Sequence, residues 1–588
     1  MTDPDPRAGE EPRHGGHHSI DAAVAHGAQA LFTLSGAHIF PLFDAAVGGA
    51  EAVKAASDPR TAERSGPLRL IDVRHEQTAV FAAEAVGKLS RTPGFAAVTA
   101  GPGVTNAMSA VTGAWMNGSP LVLIGGRAPD YRWGSGALQE LDHVPLLEPV
   151  TKKAWTIHDP ARIGPDVARA FDLAATAHRG PVFIDVPMDA LFTPTMSDPD
   201  ANYTGGDAGG GIGTAVNGAV TNGIVTNGIV TGPIDQVASI LARAQRPVVV
   251  VGSDVWAGNA IDFARAFIAE LGMPTISNGM GRGTLKPTDP LLVTRARSRA
   301  FAEADVVVVI GAPLDFRLGY GKFGAQTPAT VIHFVDAPSQ VAEHATEAVS
   351  IVGEFSESLP QVLEACLSGS LDPRRWREWA STLREVSEQA WAKDVEILES
   401  NATPIHPARI YGELRSRIAD DDIVIGDGGD FVSFAGRFIE PAQAGCWLDP
   451  GPFGCLGTGP GYALGAHVAR PDAHPWLLLG DGAAGFSLMD VESLVRHQVP
   501  VTMVIGNNAG WGLERHPMRF LYGYDVIADL PPISYDDVVR SLGGAGETVT
   551  DPAKIGAALD RARAYRGPYL VNVLTDPEIA YPRSTTGV

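Results

Sequence analysis

The sequence is poor in cysteine, in positive charge and in long apolar runs, and each shortage excludes something. Three cysteines among 588 residues, Cys366, Cys446 and Cys455, cannot build a disulfide framework or a cysteine zinc site. A reducing, cytoplasmic setting is therefore expected. No run of about 18 apolar residues occurs, so no transmembrane helix is expected. Lys and Arg total 45 against 67 Asp and Glu, a formal charge of −22. Such a field repels phosphates, which argues against nucleic acid or an anionic membrane as partner. Any phosphorylated ligand must then be held by local features. Charged residues are only 19% against 45% hydrophobic, the balance of a globular chain rather than a disordered one. The opening stretch, MTDPDPRAGEEPRHGGHH, is polar and has no apolar core, so no secretory signal is expected. Its HGGHH cluster could coordinate a metal, but a flexible polar tail is the preferred reading.

What is present is a repeating pattern. Short β-branched runs at 96–99, 121–124, 182–186, 248–251, 306–310, 331–335, 423–425, 476–479, 501–505 and 569–573 alternate with Ala-rich stretches, and many end in Gly or Asp. This is the signature of buried parallel strands joined by helices, with ligand loops at the strand carboxyl ends. The predicted fold is α/β, with three doubly wound parallel-sheet domains. A tail (1–18) precedes a first domain (19–195), and a Gly-rich linker (196–233) contains a near-repeat of Asn-Gly-x-Val-Thr. That repeat suits a short hairpin or, preferably, a floppy linker. A second domain (234–368), a charged helical connector (369–403), a third domain (404–577) and a tail (578–588) follow. Arg179-Gly180-Pro181 and Arg566-Gly567-Pro568 each precede an apolar strand, which predicts two copies of one fold flanking a different middle domain.

Gly480-Asp481-Gly482 follows one strand; a helix-like stretch and a second strand then lead to Gly506-Asn507-Asn508-Ala509-Gly510. Glycines there let backbone N–H groups approach a phosphate. Asp481 and Asn508, 27 residues apart, would end successive strands and offer oxygens to one Mg²⁺, with the Gly510 carbonyl as a third ligand. Gly-Asp-Gly alone is an ordinary strand-to-helix turn. The whole arrangement resembles the diphosphate-binding motif of thiamine-diphosphate enzymes. Arg74-His75-Glu76-Gln77 and Gly101-Pro102-Gly103-Val104-Thr105-Asn106 resemble the signature of the acetolactate-synthase-like superfamily. The resemblance implies a pyrimidine-binding first domain, a Rossmann-like middle domain and a diphosphate-binding third domain. It implies that Glu76 hydrogen-bonds the cofactor's aminopyrimidine. Gly480, Asp481, Gly482 and Ala483, with Gly428, Gly429 and Asp430, would lie beside the diphosphate. Gly454 would accept the 4′-amino hydrogen, and Leu456 would wedge the folded cofactor. Cys455 is read as a small apolar residue rather than a nucleophile. Because the family builds each site between two chains, a homodimer or homotetramer is implied.

Four further segments bear on the reaction: Ala37-His38-Ile39, Leu138-Gln139-Glu140, Trp511-Gly512-Leu513-Glu514-Arg515-His516-Pro517-Met518 and the C-terminal tail, read as a lid. Together they resemble the 2-hydroxyacyl-CoA lyases, particularly the bacterial type acting on 2-hydroxyisobutyryl-CoA. That resemblance implies cleavage of the C1–C2 bond of an acyl-CoA substrate to a ketone or aldehyde and formyl-CoA. Glu76, Glu514, His38 and Gln139 are the expected catalytic residues. Glu514 is expected in a largely apolar pocket, where a carboxylate readily exchanges a proton with the substrate hydroxyl. Arg295, Arg297 and Arg583 are candidates for the CoA end, and ADP is a candidate ligand of the middle domain. Oxalyl-CoA decarboxylase is the nearest alternative, disfavoured because its family has Tyr-Glu where this chain has Leu138-Gln139. Acetolactate synthase and a non-catalytic cofactor-binding subunit follow.

Overall fold

The computed structural model describes residues 12–56, 58–196, 230–346, 348–369, 371–372, 374–579 and 581. Two units are distinguishable. One holds the N-terminal sheet together with Pro460–Pro471 and Met489–His497; the other holds the middle and C-terminal sheets.

In the first unit the strands are β1 (Arg13–His14), β2 (Ala30–Thr33), β3 (Arg69–Asp72), β4 (Gly94–Val98), β5 (Leu121–Arg127), β6 (Lys153–Thr156), β7 (Pro181–Pro187) and β8 (Pro194–Thr195). Six of them form a parallel sheet in the order β3-β2-β4-β5-β7-β6, while β1 pairs with β8 alone. β4, β5 and β7 are buried along their whole length, as apolar strands covered on both faces must be.

In the second unit β9 (Pro247–Val251), β10 (Thr275–Ser277), β11 (Val306–Ile310), β12 (Thr330–Val335) and β13 (Val349–Val352) form a parallel sheet in the order β10-β9-β11-β12-β13. The connector contains a helix, Arg377–Leu398, pinned beside this sheet by indole N–H groups. Trp376 donates to the Ala244 carbonyl at 3.0 Å and Trp379 to that of Pro247 at 3.1 Å. The last sheet comprises β14 (Ile423–Asp427), β15 (Trp447–Leu448), β16 (Pro475–Gly480), β17 (Val501–Asn507), β18 (Ala545–Val549) and β19 (Pro568–Leu574). Its order is β15-β14-β16-β17-β19-β18. Counted from its own first strand, each six-stranded sheet reads second, first, third, fourth, sixth, fifth. The two Arg-Gly-Pro segments open the sixth strand of each, β7 and β19, as the sequence repeat predicts.

One expectation fails. Residues 13–18 belong to built elements rather than a disordered tail: Arg13 and His14 pair with β8, and a helix, Gly15–Ala25, begins at once. The two glycines are there for close approach. A Cβ on Gly16 would lie 2.0 Å from the Pro41 carbonyl oxygen, and one on Gly15 would lie 2.4 Å from Ile163 Cδ1. The remainder of that tail, residues 197–229 of the linker with its repeat, and residues 580 and 582–588 with Arg583 lie outside the described residues. Within the predicted linker, Thr231 bridges to Val352. Among the described residues no helix is long and apolar enough to cross a membrane.

Candidate functional site

The strand order reverses between β14 and β16, and crevices at such switch points hold ligands in open α/β sheets. A cleft of about 500 Å³ opens there, lined by the loops that leave β14, β16 and β17. Each loop is shaped by a specific residue.

β14 ends in Asp427, which is wholly buried and accepts backbone N–H bonds from Gly457 at 3.0 Å and Gly459 at 2.8 Å. Burial pushes its carboxyl up to about 6 against those donors. This carboxylate ties the loop bearing Gly454, Cys455 and Leu456 to the strand end. Gly428, at φ +83°, follows it; a Cβ here would meet Ala483 Cβ at 2.5 Å and Leu456 Cδ2 at 3.0 Å. Gly429 and Asp430 open the helix Gly429–Phe438 and also line the cleft.

β16 ends in Gly480, and Asp481 opens the next helix, 3% exposed. Its Oδ2 accepts the Gly510 N–H at 3.0 Å, while the Tyr535 hydroxyl donates to its carbonyl at 3.1 Å. Burial pushes its carboxyl up to about 6. A side chain on Gly482 would strike the Trp511 ring at 2.5 Å, so the indole lies against bare backbone.

Asn507, the last residue of β17, turns inward to Asn572, and Asn508 after it faces the cleft. The Asn508 Oδ1 is buried and has no hydrogen-bond partner. An orphaned amide oxygen, a buried carboxylate one strand away and a glycine loop between them are the donor set of a hard divalent cation. The residues present therefore fit a metal-held diphosphate.

Sequence reasoning missed the brace behind this loop. Arg515 is 3% exposed; its guanidinium donates to the Ala509 carbonyl at 3.2 Å, to Asp529 at 2.7 Å and to the Pro577 carbonyl at 3.3 Å. It lies one residue after Glu514, and its partners lie 6, 14 and 62 residues away, a set of spacings that no single local motif marks. Asn278 and Arg317 also line the cleft. Arg317 is gripped by Asp315 at 2.9 and 2.7 Å, and Arg297 donates to its carbonyl.

Glu514 sits in the first turn of the helix Gly512–Tyr522 and lines the cleft, but it is exposed. The apolar enclosure expected for it is not formed by the described residues of this unit, because the helix runs along the cleft's open side. Arg295 lies elsewhere, beside a second cavity of about 660 Å³. It pairs with Asp394 at 2.7 Å and stacks on Trp391 at 4.4 Å, while Arg297 lies over Phe301 at 4.7 Å. Both guanidiniums thus serve internal contacts.

In the N-terminal unit Glu76 opens the helix Glu76–Ser90, is 7% exposed and accepts from the Asn106 amide at 3.1 Å. His38 is buried in the turn Ala37–Ile39, with Nδ1 3.1 Å from Thr99 Oγ1; burial holds its imidazole below the usual range. Gln139 adopts φ +60°, and its Cβ would lie 2.9 Å from a Cβ on Gly101. Behind these runs a network the sequence did not reveal. The Gly101 N–H donates to His143 Nε2 at 2.9 Å, so the proton on Nδ1 goes to Asp185 at 2.9 Å. Asp185 also accepts from Arg127 at 2.6 Å, and Arg127 stacks on Trp133 at 3.6 Å. His143 and Asp185 are both fully buried.

Cleft and donor set fit a phosphorylated cofactor approached by backbone glycines and hard oxygens. Comparison with known proteins gives the class. Residues 13–146, 234–362 and 427–573 match, respectively, the N-terminal TPP binding, central and C-terminal TPP binding domains of thiamine pyrophosphate enzymes. The chain is 43% identical over 575 residues, 97% of each chain, to the acetolactate synthase large subunit IlvG of Mycobacterium tuberculosis. The probable acetolactate synthase of Mycobacterium bovis matches to the same extent. Human 2-hydroxyacyl-CoA lyase 2 is 34% identical over 562 residues, 91% of this chain and 85% of that protein. The chain belongs to the thiamine pyrophosphate enzymes, within the superfamily that holds these synthases and lyases.

Proposed function

We propose that this enzyme is a thiamine-diphosphate- and Mg²⁺-dependent lyase that cleaves the C1–C2 bond of a 2-hydroxyacyl-CoA, 2-hydroxyisobutyryl-CoA in the first instance. The products are a ketone or aldehyde and formyl-CoA, and the condensation runs in reverse. The observation that carries this reading is Glu514 in the same cleft as Asp481 and Asn508, where a carboxylate serves a substrate hydroxyl. When bound, thiamine diphosphate supplies the electron sink for carbon–carbon bond cleavage.

The chain's own residues do the rest. The Asp481 carboxylate, the Asn508 amide oxygen and the Gly510 carbonyl hold Mg²⁺. Gly428, Gly429, Asp430, Gly480, Gly482 and Ala483 let backbone approach the diphosphate. Gly454 accepts the 4′-amino hydrogen, and Leu456 fixes the cofactor's fold. Glu76, held by Asn106, shares a proton with the aminopyrimidine. His38 and Gln139 orient the substrate carbonyl, and Glu514 takes and returns the proton of the substrate hydroxyl. An exposed Glu514 is suited to this work once the substrate and a second chain exclude water from the cleft. The functional assembly is a homodimer or homotetramer, Glu76 of one chain serving the cleft of another. With Arg295 and Arg297 committed internally, Arg583 is the cation left for the CoA end. ADP in the middle domain remains part of this proposal.

Acetolactate synthase is the second reading, favoured by the higher identity of the mycobacterial relatives. A product assay separates the two. Purified protein with thiamine diphosphate and Mg²⁺ is given 2-hydroxyisobutyryl-CoA, pyruvate or oxalyl-CoA in separate reactions. Acetone and formyl-CoA from the first alone are expected. Acetolactate from pyruvate alone, or CO₂ from oxalyl-CoA alone, would replace the lyase reading.

A further inference from the structure

The proposed reaction leaves the HGGHH motif unused, and the structure gives it a shape. His14 caps the helix Gly15–Ala25 and His17 sits in its first turn, so the two imidazoles share one face, ring centroids 4.0 Å apart. The close approach that Gly16 permits brings the helix Phe40–Val47 alongside. Asp44 on that helix meets His14, Oδ2 to Nε2, at 3.1 Å. One ligand atom from each of His14, His17 and Asp44 lies within 4.8 Å of the others. The Nδ1 atoms of His14 and His17 are both buried without a hydrogen-bond partner. Two orphaned imidazole nitrogens beside one carboxylate are an unusual cost unless something else satisfies them.

We propose that His14, His17 and Asp44 form a binding site for one Zn²⁺, with water as the fourth ligand. Two nitrogens and one carboxylate select Zn²⁺ over Mg²⁺, which keeps to oxygen, so the site is chemically distinct from the cofactor's cation. Arg13 is paired to Asp21 at 2.8 Å. The ion would clip β1 and its helix to the helix Phe40–Val47, which continues directly from the turn that carries His38.

The test titrates ZnCl₂ calorimetrically into full-length protein saturated with thiamine diphosphate and excess Mg²⁺, with thermal unfolding in parallel. One Zn²⁺ per chain and a raised Tm are expected. His14→Ala and His17→Gln should each weaken Zn²⁺ binding more than about 100-fold, since even a ligand's supporting partner is worth 10–100-fold. Asp44→Asn, on an exposed side chain, gives the same reading without disturbing the helix packing. No Zn²⁺ uptake by the wild type, or equal uptake by wild type and Asp44→Asn, would overturn the proposal.

Discussion

The two six-stranded sheets share one strand order and carry opposite chemistry at their carboxyl ends. The N-terminal sheet presents titratable side chains held by hydrogen bonds. These are Glu76 on the Asn106 amide, His38 on Thr99, and a Gly101–His143–Asp185–Arg127 chain behind Gln139. The C-terminal sheet presents hard oxygens and bare backbone: Asp481, Asn508 and the glycines of three loops braced by Asp427 and Arg515. Topology decides where loops fall; the residues placed on them decide what the loops do. We therefore expect the first sheet to govern turnover and the second to govern cofactor affinity.

The largest effect should come from Glu76→Gln. A positioned acid–base group contributes about 10²–10⁴-fold, so kcat should fall by that much in the product assay. If instead kcat stays within a few-fold of wild type, the first sheet does not govern turnover. Arg515→Met comes next. It strips one hydrogen bond from the Ala509 carbonyl beside Asn508 and the two that anchor the guanidinium to Asp529 and Pro577, and thiamine diphosphate affinity should drop about 10–100-fold with Mg²⁺ present. Unchanged affinity would show that the loop holds its shape unaided. His143→Gln, at the matching depth of the other sheet, should cost about 1–3 kcal/mol in urea unfolding, because Asp185 loses a buried donor. Cofactor affinity should be unaltered; a large affinity loss would blur the distinction between the sheets.

An effect of similar size is a pH slope. Burial, with Arg563 beside it, lowers the His474 imidazole from 6.5 to about 4. A group whose folded pKa is depressed stabilises above its unfolded value, and that contribution fades as pH falls from 6.5 toward 4. With partial exposure discounted, it is worth about 2 kcal/mol. His474→Asn should flatten that part of the stability–pH curve; a curve as steep as wild type would assign the slope to other groups.

Much of this was legible in the sequence because the signals are local. A β-branched run ending in Gly or Asp is a buried strand with a ligand loop, and Gly480-Asp481-Gly482 with Asn508 marks the cleft without any tertiary knowledge. Illegible were the braces. Asp427 reaches 30 and 32 residues to Gly457 and Gly459, and His143 reaches 42 to Gly101 and to Asp185. No periodicity encodes such pairings. HGGHH misled for a related reason. Glycine reads as freedom in a sequence, but here it clears space for the Pro41 carbonyl. Glu514 lies on the expected helix and is exposed in the single chain, because exposure depends on what covers a helix rather than on its own residues.

The division of labour between the two sheets is tested most directly by titrating thiamine diphosphate, at fixed excess Mg²⁺, into wild type, Asp481→Ala and Glu76→Gln. We expect Glu76→Gln to bind within about tenfold of wild type and Asp481→Ala to show no measurable binding. Loss of binding in Glu76→Gln with retention in Asp481→Ala would contradict it.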